Sequence, residues 1–291
     1  MRFKTLTQHT VTLIAGAIAL AVPAAIGMAS SASASSGEFT TPAVIAAGTA
    51  GAATGPVPVV YSHHAAGTAG AATGPVPVVY GTQFAGYGTA FFANWRFGYV
   101  AATVPVAACR IAPSKNPSAA MQLFGGTSWL ADISVFCNGG TGSVIFFDQK
   151  SATTHALGAF RLSPRVGDRV RISINRNVPG HQDSFTATNL RTGRSQTVRV
   201  TTSTAVIYHH AFVGSAIGSN ADVMPLPATN KLLWTFRNSS VATYSGVRGT
   251  LLGPWTTVKE IDRTSAGVTV MYPGQLSSSG ADFSTYLHAA P

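Results

Sequence analysis

Arg169-Val170-Arg171-Ile172-Ser173-Ile174 carries an apolar side chain at every second residue. A period of two belongs to a strand with one face against a core and the other against water. The same alternation returns in Gln196-Thr197-Val198-Arg199-Val200 and in Gly267-Val268-Thr269-Val270-Met271. From Gln83 onward such segments are separated by Gly, Pro, Asn and Ser, and no stretch holds an apolar stripe of helical period. Residues 83–291 therefore predict an all-β domain, an antiparallel sandwich or barrel, with length enough for a sizeable core.

Upstream of Gln83 the composition changes. Residues 46–61 (AAGTAGAATGPVPVVY) recur unchanged at 65–80, with Ser62-His63-His64 between the copies. Two copies are too few for a solenoid, and Ala/Gly/Thr blocks offer little to bury. The Pro-Val-Pro-Val runs favour extended or polyproline II backbone, so 35–82 reads as a low-complexity leader. Before it, Arg2 and Lys4 precede an uncharged apolar run from Val11 to about Met28, and Ala32-Ser33-Ala34 forms a small-residue cleavage site. This is the pattern of a secretory signal peptide over 1–34. The run is only marginally long enough to span a bilayer and is broken by Pro23. The expectation is a secreted, extracellular chain with no membrane span after cleavage.

Acidic residues are scarce: nine Asp and Glu stand against nineteen Lys and Arg, and the only glutamates are Glu38 and Glu260. Loss of Arg2 and Lys4 with the signal leaves a net charge of +8. Arginines 161, 165, 169, 171, 176, 191, 194 and 199 crowd one region, and Arg169 and Arg171 share a strand face. They predict either a solvated basic face or one that contacts an anionic cell-wall polymer. No compact basic run with interleaved aromatics occurs, so nucleic acid is not an expected partner. In an oxidising compartment Cys109 and Cys137 are expected to form one disulfide.

Common catalytic signatures are absent: no G-x-S-x-G, H-E-x-x-H, G-x-x-x-x-G-K or C-x-x-C occurs. Gly139-Gly140-Thr141-Gly142 reads as a hairpin turn. His209 and His210, adjacent on a strand, project to opposite faces and would not converge on a metal, and neither a metal nor a cofactor is expected. Among the carboxylates, Asp168 reads as a turn residue opening a strand, and Asp183, Asp222 and Asp282 as loop residues. Asp132 and Asp148 differ, being embedded in Trp129-Leu130-Ala131-Asp132-Ile133 and Val144-Ile145-Phe146-Phe147-Asp148. On an inward face each would have a raised pKa, and close together they could share a proton. On an outer face they would be ordinary solvated carboxylates.

Five segments in order carry a resemblance. Gln83-Phe84-Ala85-Gly86-Tyr87 is similar to N-W-S-G-Y, and Val100-Ala101-Ala102-Thr103-Val104-Pro105 to S-A-T-F-T-V-P. Leu123-Phe124-Gly125-Gly126 falls where W-V-G-L-G-G or W-V-G-I-D-G is found. Leu162-Ser163-Pro164-Arg165-Val166-Gly167-Asp168, followed by Thr188-Asn189-Leu190-Arg191-Thr192-Gly193, is similar to S-P-G-D and N-L-T-T-G. Pro273-Gly274-Gln275-Leu276 through Asp282-Phe283 is similar to P-S-x-L-x-x-D-G-x-x-F. Together these resemble the glutamic peptidases, the eqolisin family of secreted acid endopeptidases. The resemblance implies a two-sheet, concanavalin A-like β-sandwich whose cleft takes a peptide or protein ligand.

It also implies a chemistry, in which a glutamate and a glutamine activate water and stabilise the tetrahedral intermediate. The glutamine segment, L-E-Q-I-G or L-Q-T-G, matches Leu130-Ala131-Asp132-Ile133-Ser134 and puts Asp132 in its place. A supporting glutamate in W-Y-E-W-Y-P is matched by Phe146-Phe147-Asp148. The catalytic glutamate in A-E-W-I or A-E-V-I is matched by Ala211-Phe212-Val213-Gly214, which puts Phe212 there. No Asp or Glu lies between Asp183 and Asp222, while Glu38 is in the leader and Glu260 falls beyond the segment. Phe84 and Met121 stand where cleft tryptophans are usual. The expectation is a glutamic-peptidase-like protein, non-catalytic or of doubtful activity, serving as a binding or envelope-associated module. The alternative is a divergent acid endopeptidase acting through an Asp132/Asp148 carboxyl pair in one groove.

Overall fold

The structure, a computed structural model, describes residues 76–290 apart from 82, 91–94, 110–116, 126–128, 139, 150–154, 203–205, 218–225 and 265. The signal peptide, the first copy of the repeat and Asp222 lie outside the described residues. Among the described residues regular structure is strand throughout: β1 Val78–Gly81, β2 Phe84–Thr89, β3 Phe97–Pro105, β4 Ser118–Gly125, β5 Trp129–Asn138, β6 Thr141–Gln149, β7 His155–Ala159 and β8 Arg169–Asn177. The chain continues through β9 Gln182–Asn189, β10 Ser195–Thr201, β11 His210–Ala216, β12 Lys231–Thr243, β13 Arg248–Gly249, β14 Thr257–Arg263, β15 Thr269–Pro273 and β16 Phe283–Leu287. No helix among the described residues is long and apolar enough to cross a membrane.

Hydrogen bonding runs β10-β9-β8-β3-β12-β16-β15-β14-β2-β11-β4-β5-β6-β7. This ribbon doubles over into two layers because β12 serves both. Its first half, to Phe236, pairs with β16, and its second half, from Arg237, pairs with β3. The change falls at a register shift between Arg237 and Ser240, where Asn238 takes a φ of 52°. The hexamer 169–174 lies in β8 as its alternation requires: Val170, Ile172 and Ile174 are fully buried, while Arg169 is exposed. Opposite them pack Ala119, Met121 and Leu123 of β4 and Ala131, Ile133 and Val135 of β5. Phe146 of β6 stacks on Phe185 of β9 at 5.1 Å, joining the two layers through the core.

Two features refine the sequence expectations. Val78–Gly81, which takes in the end of the second repeat copy, is strand β1 and pairs in parallel with β14 from Lys259 to Asp262. The sandwich thus starts inside the segment assigned to the leader, because the β-branched Val78-Val79 can extend an exposed sheet edge as readily as an isolated coil. The Cys109–Cys137 disulfide is formed, tying the chain after β3 to the end of β5. Asn138 pairs with Thr141, so β5 and β6 are antiparallel neighbours joined at the expected hairpin position.

Candidate functional site

Residues that alternate with the core positions form the outer face of the larger layer. One register row crosses seven strands there: Val258, Gly88, Phe212, Gln122, Asp132, Phe147 and Leu157. At its centre is a polar cluster in an otherwise aromatic surface. Gln122 donates from Nε2 to Asp132 Oδ2 at 2.6 Å, and Ser134 donates from Oγ to Asp132 Oδ1 at 2.7 Å. Burial pushes the Asp132 carboxyl up to about 6, against the opposing pull of those two hydrogen bonds. Gln122 Oε1 is buried and has no hydrogen-bond partner among the described residues.

Phe212 lies beside this cluster and is fully buried. Its ring covers two glycines: a β-carbon on Gly86 would come within 2.9 Å of Phe212 Cε2, and Gly214 is as closely covered. Phe84 meets it edge-on at 5.6 Å and also meets Phe124 at 5.9 Å. The glycines at 86 and 214 thus let the phenyl ring lie flat on the sheet instead of projecting into a groove. Next to it, His210 leans over Gly88. Its Nδ1 donates to the Thr89 carbonyl, and Nε2 faces Glu260 Oε1 at 3.1 Å. A β-carbon on Gly88 would meet both His210 Nε2 and Glu260 Oε1, at 2.8 and 2.9 Å.

The residues singled out from sequence part company here. Asp132 and Phe212 share the outer face, with Gln122 between them. Asp148 does not join them. It pairs with Ala131, one step out of phase with Asp132, so it points to the side where Phe146 and Val144 meet the core. There it adjoins a buried polar group around Tyr208. Tyr208 donates to Asp183 Oδ2 at 2.8 Å, and Arg176 Nη1 stands 3.4 Å from Asp183 Oδ1 and donates to Thr202 at 3.2 Å. Burial raises the Tyr208 hydroxyl, and the charges of Asp183 and Asp148 raise it further.

Asp183 is thus a strand residue in the core rather than a loop residue, because Arg176 faces it across β8–β9 and makes its burial tolerable. Met121 is likewise a core residue, not a cleft wall, since register turns its neighbour Gln122 outward. Phe84 stands on the same outer face as Phe212, in ring contact with it and with Phe124. Asp168 is the turn residue expected, accepting from the Arg165 amide at 3.0 Å and from Asn189 at 2.8 Å, and pairing with Arg191. Asp282 accepts from the Asn238 amide at the β12 corner. His209 donates to the Trp95 carbonyl at 3.2 Å while its neighbour turns to Thr89, so the two rings diverge. Among the described residues no group of His, Cys, Asp and Glu is placed to hold a metal ion.

Gln122, Ser134, His210 and Glu260 were not singled out beforehand as members of this face. The polar residues of β4 and β5, alternating with Ala, Met, Leu and Ile, are the signal that could have found the first two. Nothing local to Glu260 marks it, because its partner is 50 residues away in sequence and two strands away in the sheet.

No protein-family model matches the chain, and no curated protein matches it. Solved structures do. A scytalido-glutamic peptidase with a transition state analog inhibitor matches at 14% identity and a TM-score of 0.50, covering 70% of this chain and 97% of that one. The same peptidase with a peptide based transition state analog matches at 16% and 0.53, with the same coverage. SCP-B, a member of the eqolisin family in complex with the tripeptide Ala-Ile-His, matches at 17% and 0.42. The chain has a glutamic-peptidase-like β-sandwich fold, as the first two matches show.

Proposed function

We propose that this chain is an exported, non-catalytic binding protein that holds a peptide segment in the cleft on the outer face of the larger layer. The observation that carries the proposal is Phe212. It occupies the position that the sequence resemblance assigns to the catalytic glutamate, and its ring is buried flat over glycines 86 and 214. A phenyl ring can neither take a proton from water nor return one. Asp132 does not replace it, because both of its oxygens already accept hydrogen bonds from Gln122 and Ser134. Glu260, on the same face, is engaged with His210. The opposite orientation of Asp132 and Asp148 across the sheet supports the non-catalytic reading over a carboxyl pair.

A peptide as ligand is supported by the neighbours of this fold, one of which was solved with a peptide based transition state analog. It is also supported by the aromatic rim of Phe84, Phe124 and Phe147 around a small polar centre, since apolar walls with few polar groups suit side-chain pockets. The deciding experiment exposes the purified protein, processed after residue 34, to a mixed peptide pool between pH 2.5 and 7. Retention of peptides without new cleavage products is the expected result. Hydrolysis that Asp132→Asn abolishes would overturn the proposal.

A further inference from the structure

A second, separate site lies on the outer face of the smaller layer. Register there aligns Arg248, Ala242, Tyr99, Asn175, Ser184 and Arg199 in one row across β13, β12, β3, β8, β9 and β10. An arginine closes the row at each end, about 24 Å apart along the sheet at the usual strand spacing, before curvature. Over the row is an open cavity of about 550 Å³, within the range of small-ligand sites, lined by Tyr99, Asn175, Gln182, Ser184, Arg199 and Arg248 among others. No carboxylate lines it.

Arg199 and Arg248 are exposed, and neither forms an ion pair with a described carboxylate. The burial pattern confirms the direction of Arg199, since Val198 and Val200 on either side pack against the core. Tyr99 is held in place by the Arg171 guanidinium, which reaches its hydroxyl at 3.4 Å and Ser240 at 3.5 Å. Beyond the row the same face continues in hydroxyl pairs, Thr186 with Thr197 at 2.9 Å and Thr188 with Ser195 at 2.8 Å.

We propose that this groove binds a carboxylate-bearing glycan chain. Hydroxyls and carboxamides that both donate and accept match the hydroxyls of sugar rings, the Tyr99 ring offers an apolar face to a ring, and the terminal guanidinia match carboxylates in bidentate geometry. The groove's aliphatic lining is limited to Val178, Pro179 and Ala242, and hydroxyl, carboxamide and guanidinium groups make up much of the rest, which suits a sugar chain better than peptide side chains. Its two aromatics, Tyr99 and Tyr244, and its two exposed arginines, one at each end of the row, are fewer than the run of stacking platforms and continuous basic charge that hold single-stranded nucleic acid. A row bounded by two distant cations fits an oligomer, with acidic sugars at both ends, better than a single sugar.

Calorimetric titration of the processed protein with a galacturonate hexamer tests this, with maltohexaose, hexaglutamate and a thymidylate hexamer as comparators. The expected result is binding of the uronate alone, weakened about tenfold by Arg199→Gln and by Arg248→Gln, the value of one charge-assisted hydrogen bond. Asn175→Leu, which leaves charge unchanged, also weakens it, whereas Arg194→Gln, on the turn outside the groove, stays within about twofold of the parent. The exposed arginine substitutions leave the core intact, so each variant remains interpretable. Absence of uronate binding overturns the proposal. So does an equal loss from Arg194→Gln, which would mean diffuse charge attraction. Equal or tighter binding of hexaglutamate or the thymidylate hexamer would assign the groove to acidic peptide or nucleic acid instead.

Discussion

Asp132 makes the outer face of the larger layer pH-sensitive in a direction opposite to that of most protein carboxylates. Its carboxyl is raised from 3.8 to about 6, with burial as the main cause and the bonds from Ser134 and Gln122 acting against it. The folded chain therefore holds this proton more tightly than the unfolded chain. Below pH 3.8 both states carry it, and the site contributes its full share of stability. Between about 3.8 and 6 only the folded state keeps it, so stability falls as pH rises through that window, at about 1.4 kcal/mol per pH unit. The total is about 3 kcal/mol, lost by about pH 6 and constant above it.

Asp132→Asn removes the titration and retains the shape. An amide at 132 can donate to Gln122 Oε1 if the Gln122 amide turns over, which would also partner that buried oxygen. Urea unfolding of parent and variant at half-unit steps from pH 3 to 8 gives the difference in stability directly, because all other groups cancel. The parent is expected to lose about 3 kcal/mol relative to the variant between pH 4 and 6. A flat difference, or one that grows in the parent's favour with rising pH, would refute the assignment of Asp132 as a buried, proton-retaining carboxyl.

Other substitutions probe the rest of the molecule. Phe212→Ala, which empties a fully buried site over Gly86 and Gly214, is expected to cost about 3–5 kcal/mol in urea unfolding. Arg176→Met leaves Asp183 in the core without its guanidinium and is expected to cost a similar 3–5 kcal/mol, whereas changing both residues to apolar ones recovers most of the loss. Replacing Cys109 and Cys137 with alanine opens a loop of 28 residues and is expected to lower stability by about 3.5 kcal/mol, measured under non-reducing conditions. Gly88→Ala is expected to displace His210 from Glu260 and lower the melting temperature, a shift that His210→Ala in the same chain relieves.

Alternation of apolar residues is a local property, and it was enough to determine that the described regular structure from β2 onward is strand, with Val170, Ile172 and Ile174 inward and Arg169 outward. The disulfide partners followed from a count of two cysteines, and the ordered motifs pointed to the glutamic-peptidase-like sandwich. Composition did not show that β1 would leave the leader to extend a sheet edge. Nor could spacing say which of two adjacent residues faces the core. Moving one position along a strand exchanges the faces, so Met121 and Asp148 went to the core while Gln122 and Asp132 met outside. Pairings between distant strands lay further out of reach. Glu260 reached His210, and Arg248 aligned with Arg199 across six strands, only when the ribbon closed into two layers.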